Sequence, residues 1–145
     1  MADEKQFCTF YLDGHFFGID VLEVQEVFRY QEMTTVHLAP PVVRGLINLR
    51  GQIITAIDLR KRLDLPERSE EEEPLNVVVR ANDEVVSLLV DEIGDVLEVP
   101  GDKFESPPGT ISAAMRDLIK GVYKLEGKLL LILDTARVMQ YESTA

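Results

Sequence analysis

One cysteine, two histidines and no tryptophan occur among the 145 residues of this sequence, and each scarcity removes a class of function. A lone Cys8 cannot close an intrachain disulfide, and the apolar alternation FCTFYL around it predicts a buried or half-buried small side chain rather than a reactive thiol. His15 and His37 have no cysteine or second histidine at metal-ligand spacing. They read as solvent-facing residues, one just after a turn and one in a connection, so no metal is expected. A Cys8–His15 couple across a hairpin would still lack a third, orienting group. Neither GxxxxGK[ST] nor GxGxxG is present, which leaves no phosphate-cradling loop and no expected cofactor. No long apolar run occurs, so a secretory leader and a membrane-spanning helix are both unexpected and the default location is the cytoplasm.

Positive charge is scarce as well: 15 Lys and Arg stand against 26 Asp and Glu, for a net charge of -11. That balance disfavours nucleic acid and anionic membrane as partners, since both select a basic footprint. Hydrophobic residues make up 46% of the chain and only seven are proline, which describes a folded domain with core enough to need no disulfide or metal.

Repetition is what the sequence does contain. Residues 44–63, RGLINLRGQIITAIDLRKRL, form two apolar runs meeting at Arg50-Gly51, a predicted β-hairpin with Gly51 supplying the tight reversal. Residues 120–139, KGVYKLEGKLLLILDTARVM, repeat the pattern, matching Gly45 with Gly121, Gly51 with Gly127 and Asp58 with Asp134. Upstream, Phe17, Ile19, Val21, Val24 and Val27 match Val86, Leu88, Val90, Ile93 and Val96, and the turn pair Asp13-Gly14 matches Asn82-Asp83. The two offsets, 17 to 86 and 45 to 121, differ because the second unit carries extra residues within 100–118.

Taken in order, strands are predicted over 7–12 and 15–19, followed by a strand with a bulge or bend through Val21, Val24 and Val27. Residues 28–36 read as a polar connection or edge strand, and 42–45 as a short helix after Pro40-Pro41. The acidic stretch 64–74, with four glutamates in series, reads as a solvated, mobile linker. Strands are predicted over 76–80 and 85–90, a loop over 103–109, a short helix over 112–118 with Ser112 as N-cap, and a terminal helix over 135–141. Asp58 and Asp134 each precede a short helical pattern, which suits an N-cap better than acid–base chemistry. Short, turn-punctuated strands favour small antiparallel barrels. A unit of about 65 residues is marginal alone, so two would pack on a shared apolar seam. No catalytic constellation emerges.

Arg44, Arg50, Arg60, Lys61 and Arg62 crowd into one stretch. An exposed arginine at a hairpin tip suits a protein contact, or is a solvated turn residue. The same stretch suits a single-stranded nucleic-acid module on a small barrel, although no aromatic platform interleaves it. At the equivalent tip Glu126 replaces Arg50, so two functional tips would bind different surfaces.

With FGIDVLEVQEVF, VVRGLINLRGQIITAIDLRKRL, VVSLLVDEIGDVLEV and KGVYKLEGKLLLILDTARVM in place, the chain from about residue 6 to 140 resembles the CheW-like chemotaxis coupling family. The combination of NLRG and the downstream DLR carries most of that resemblance. It implies an all-β fold of two closely packed, interlocked SH3-like five-stranded β-barrels with short helices, between which boundary strands can exchange. It implies a non-enzymatic adaptor joining the signalling tip of methyl-accepting receptors to the regulatory domain of a CheA-type histidine kinase at receptor arrays on the inner face of the membrane. The receptor tip is expected in the groove between barrels, with Val24, Glu26, Gly45 and Arg50 as coupling positions: Gly45 for backbone geometry, Arg50 as an ionic or hydrogen-bonding handle. Kinase contacts are expected at the barrel ends, with the loop 100–109 as a candidate. Only YESTA follows Gln140, so a longer terminal helix found in some relatives is not expected here.

Overall fold

The computed structural model describes residues 4–29, 32–69 and 71–140. Ten strands carry the fold: β1 (Glu4–Leu12), β2 (His15–Asp20), β3 (Val24–Phe28), β4 (Val43–Leu49), β5 (Gln52–Asp58), β6 (Leu75–Ala81), β7 (Glu84–Val90), β8 (Glu92–Pro100), β9 (Ile119–Leu125) and β10 (Lys128–Leu133). Three single-turn helices, α1 (Leu59–Arg62), α2 (Ala113–Arg116) and α3 (Thr135–Val138), fill the gaps. The turn chemistry explains the hairpins. Asp13-Gly14 (φ 48° and 80°), Arg50-Gly51 (54° and 87°) and Asn82-Asp83 (53° and 62°) each place two left-handed residues at a two-residue tip, the arrangement that matches the twist of the flanking strands.

The strands form two five-stranded sheets, in the orders β8-β1-β2-β10-β9 and β3-β6-β7-β5-β4. Each sheet takes the first hairpin of one repeat and the remaining three strands of the other. The registers confirm the repeat pair by pair. Val27 opposite Val77 and Phe28 opposite Asn76 in β3–β6 reappear as Val96 opposite Cys8 and Leu97 opposite Phe7 in β8–β1. The parallel pairs agree too: Thr55 opposite Val86 corresponds to Leu131 opposite Phe17. Both β3 and β8 carry a register shift, so a bulge lies within the stretch through Val21, Val24 and Val27 where a bulge or bend was expected, and its counterpart lies in the second copy.

Strands apolar on both faces follow from this arrangement. One face of each sheet meets the other sheet in a shared core that includes Phe10, Leu12, Phe17 and Ile19 from the first and Ile57, Val77, Val79 and Leu88 from the second. The opposite faces enclose separate small cores. That of the first barrel holds Phe7, Phe16, Tyr123, Leu130 and Ile132, and that of the second holds Ile47, Ile54, Ala56, Val78 and Leu89. Phe10 and Phe17 stack with centroids 5.5 Å apart across β1–β2, adding aromatic contact to area burial.

Several local expectations need correction. Residues 42–45 are not a helix: β4 begins at Val43 and its β-branched and leucine residues pair with β5. Val21–Glu23 is a 3-10 turn, capped by the Asp20 carboxylate accepting from Leu22 N at 2.9 Å, before β3 begins. The stretch 64–74 is pinned rather than free, because Arg68 donates to Asp91 (2.9 Å) and the Pro66 carbonyl accepts from Arg60 (2.9 Å); Glu70 lies outside the described residues. The helix foreseen over 135–141 is confined to Thr135–Val138 among the described residues, and Tyr141 lies outside them. His15 is half-buried, its ring centroid 6.3 Å from that of Phe17.

Candidate protein-contact site

The tip of the β4–β5 hairpin is built by the sequence NLRG. Asn48 Oδ1 accepts a hydrogen bond from Gly51 N at 2.9 Å, tying the turn to the strand that enters it. This clamp forces Arg50 outward. Its guanidinium then reaches β3, with Nη1 donating to Glu26 Oε2 at 2.9 Å and Nη2 donating to Glu26 Oε1. The fork geometry is the two-point match that an arginine makes with a carboxylate. The Arg50 side chain is 73% exposed and that of Glu26 28%, so the pair is an external fastening between the two ends of the strand order. Beneath it is a cavity of about 360 Å³, walled by Gln25, Leu49, Gln52, Ile54 and Val78. Two exposed aliphatic residues of the same sheet, Val27 and Ile53, add apolar surface.

Of the four expected coupling positions, then, Glu26 and Arg50 are brought together. Val24, on the same strand as Glu26, is half-buried and packs against the shared core. Gly45 is buried for a different reason. The connection leaving β3 returns over β4, where Thr34 and Leu46 exchange backbone hydrogen bonds of 2.8 Å. A Cβ on Gly45 would lie 2.7 Å from the Thr34 carbonyl oxygen. Gly121 repeats the device: Glu105 and Val122 bridge above it, and a Cβ there would lie 2.5 Å from the Glu105 carbonyl oxygen. Gly45 therefore shapes the surface without presenting a side chain to it.

The basic stretch disperses in three dimensions. Arg60 is buried, donating from Nε to Asp91 Oδ1 at 3.0 Å and from Nη1 to the Pro66 carbonyl. Arg62 donates from Nε to the Val138 carbonyl at 2.9 Å and from Nη2 to that of Arg137 at 2.8 Å, closing the end of α3; burial pulls its pKa below the ordinary value. Neither is available to a phosphate backbone, so the nucleic-acid alternative loses its footprint. Cys8 pairs with Ile19 and His15 with Leu12, so thiol and imidazole sit on separate rungs. Asp58 and Asp134 act as helix caps: Asp58 Oδ1 accepts from Arg60 N (3.1 Å) and Asp134 Oδ1 from Arg137 N (3.2 Å). Among the described residues no helix is long and apolar enough to cross a membrane.

Asp91 is the residue sequence reasoning missed. It accepts from Arg60, from Arg68 and, through Oδ2, from Asp13 N at 2.8 Å. Burial alone would raise its carboxyl pKa, but these donors outweigh burial and hold it below the ordinary value. Its only sequence signal is a lone arginine, Arg68, amid glutamates.

Residues 6–143 match the family model of the CheW-like domain. The chemotaxis protein CheW of Bacillus subtilis is 34% identical over 140 residues, covering 97% of this chain and 90% of that protein. The chemotaxis protein CheW of Treponema pallidum is 32% identical over 136 residues, covering 91% and 80%. The crystal structure of the scaffolding protein TtCheW from Thermoanaerobacter tengcongensis matches with a TM-score of 0.86 at 26% identity, over 99% of this chain and 97% of that one. By sequence and by strand arrangement alike, the chain belongs to the CheW-like family.

Proposed function

We propose that this protein is a non-enzymatic adaptor of chemotaxis signalling that joins the cytoplasmic tip of methyl-accepting receptors to the regulatory domain of a CheA-type histidine kinase. Family membership and the relatives named for chemotaxis and scaffolding support the role. The observation that carries the reading to particular residues is the Arg50–Glu26 pair. A guanidinium on a clamped hairpin, with aliphatic surface from Val27 and Ile53 on the same sheet, combines a directional polar contact with apolar area, the composition of an interface centre.

The mechanism is positional. A body with a core shared by both sheets holds its two contact faces in fixed relation. A receptor on one face and a kinase on the other then meet at the effective concentration set by that body. Val24, Glu26, Gly45 and Arg50 serve the receptor-coupling face, and the barrel ends serve the kinase. The protein works in the cytoplasm and gathers at receptor arrays through these contacts.

Capture by an immobilised receptor signalling tip and, separately, by the kinase regulatory domain tests the proposal. Wild-type protein binds both. Replacing Arg50 by alanine weakens receptor capture roughly tenfold, as for an arginine anchor. Failure to bind either partner would sink the role.

A further inference from the structure

Four charged side chains line one cavity of the first barrel without pairing to one another. The cavity, of about 210 Å³, is bordered by β1, the Val21–Glu23 turn, β9 and the turn that follows β8. Lys5 and Lys120 bring two ammonium groups to it, and Asp20 and Glu23 bring two carboxyl groups. Opposite charges around so small a space attract, yet none of the four takes part in an ion pair among the described residues. Asp20 uses Oδ1 to accept from Leu22 N. Glu23 Oε1 and Thr135 Oγ1 are both buried with no hydrogen-bond partner among the described residues. Burial chiefly raises the Glu23 pKa, while Lys120 and Thr135 are close enough to oppose that rise.

Aromatic rings supply much of the remaining wall. Phe7 and Tyr123 belong to the small core of this barrel, with centroids 5.6 Å apart, and Phe104 extends the row 5.4 Å from Tyr123. Phe104 is 43% exposed. Gly121 lets its ring lie there, because a Cβ at that position would collide with it. Apolar rings and unpaired charges of both signs around one small space match a molecule that carries all three complements.

We propose that this cavity binds a free α-amino acid with an aliphatic side chain. Its carboxylate lies between Lys5 and Lys120, its ammonium group donates to Glu23 and Asp20, and its side chain covers Tyr123 and Phe104. The three N–H donors of an ammonium suit the unpaired oxygens at the Glu23 end. A simple anion or cation would leave the opposite charges and the rings unmatched. The volume, below the roughly 300 Å³ at which drug-sized sites begin, limits the ligand to about this size. Val24, a proposed receptor-coupling position, follows Glu23 directly, so the ligand lies beside that strand; the binding itself does not depend on the coupling role.

Amide NMR of the full chain, titrated with L-leucine at pH 7, tests this. Saturable shifts centred on residues 5–7, 20–23, 101–104 and 120–123 are expected. Three analogues each remove one complement: leucinamide the carboxylate, 4-methylpentanoate the ammonium and glycine the apolar part. Each is expected to bind at least tenfold more weakly. Lys120→Gln and Glu23→Gln should each weaken leucine binding at least tenfold. The Tm of both variants, read alongside, separates lost binding from lost folding. Lys103→Gln, which removes a neighbouring lysine that does not line the cavity, should leave binding unchanged. Absence of saturation, analogues that bind as tightly as leucine, or an equal loss on Lys103→Gln and Lys120→Gln would overturn the proposal.

Discussion

At Asp91 the chain ties together Arg60 of α1, Arg68 of the stretch 64–74 and the amide of Asp13 at the first hairpin tip. Removing this carboxylate takes the closest ion-pair partner from both Arg60 and Arg68, so Asp91→Ala should cost about 3 kcal/mol, read from chemical denaturation. Its folded pKa lies below the ordinary 3.8, so the stability it contributes is present above about pH 4 and is lost as pH falls through the folded value. Glu23 has the opposite sign. Burial first, then the nearby Asp20 and Asp134, raise its pKa above 4.5 despite Lys120, and its Oε1 is buried with no hydrogen-bond partner. The folded state therefore holds a proton that the unfolded state has released, and stability falls as pH rises from 4.5 through the folded value. Glu23→Gln should accordingly raise the Tm at pH 7 and leave it nearly unchanged at pH 4; an equal effect at both would contradict the assignment. Arg50 behaves differently from either. Its pair is at the surface, so Arg50→Glu should leave the Tm near that of the wild type while abolishing receptor capture, and adding Glu26→Arg should recover part of that capture. Recovery would place the two groups in one contact.

Gly45 and Gly121 make one prediction at the scale of elements. Each lies under a returning connection, and the backbone carbonyl above has little room to move. Gly45→Ala should cost about 1–3 kcal/mol, and hydrogen exchange at the Thr34 and Leu46 amides should accelerate first, because the added methyl pushes the connection off β4. A defect in coupling in that variant would then report a displaced connection and not a lost contact. Much at this scale was legible in the sequence. The tips at Asp13-Gly14 and Arg50-Gly51 declare themselves through Gly14 and Gly51, which adopt left-handed φ freely, and the caps Asp58, Asp134 and Ser112 through their place before short helices. Residues 42–45 were misread because a short stretch of two valines, an arginine and a glycine after two prolines suits a helix or a strand, and only pairing with β5 decides. Arg68 was illegible because its partner lies 23 positions away on the far side of the linker. The meeting of Arg50 with Glu26 was likewise hidden: it depends on how the ends of a curled sheet approach, which no local pattern encodes.

Across the whole molecule the exchange of hairpins between repeats sets the behaviour. Neither repeat contains a complete sheet, since the first hairpin of each is completed by three strands of the other. Two halves divided within residues 64–74 should each be unfolded alone and should regain the native amide spectrum on mixing, whereas barrels drawn from single repeats would fold separately. The intact chain should unfold in one transition, because the shared core draws on both sheets. That common core would also hold the two proposed partners in fixed relation. The decisive measurement is capture of all three components at once: the receptor signalling tip immobilised, the kinase regulatory domain in solution, and this protein between them. Retention of the kinase domain only when the adaptor is present, with loss of that retention on Arg50→Glu, is the predicted result; kinase retention independent of the adaptor, or displacement of the adaptor from the receptor by the kinase domain, would contradict it.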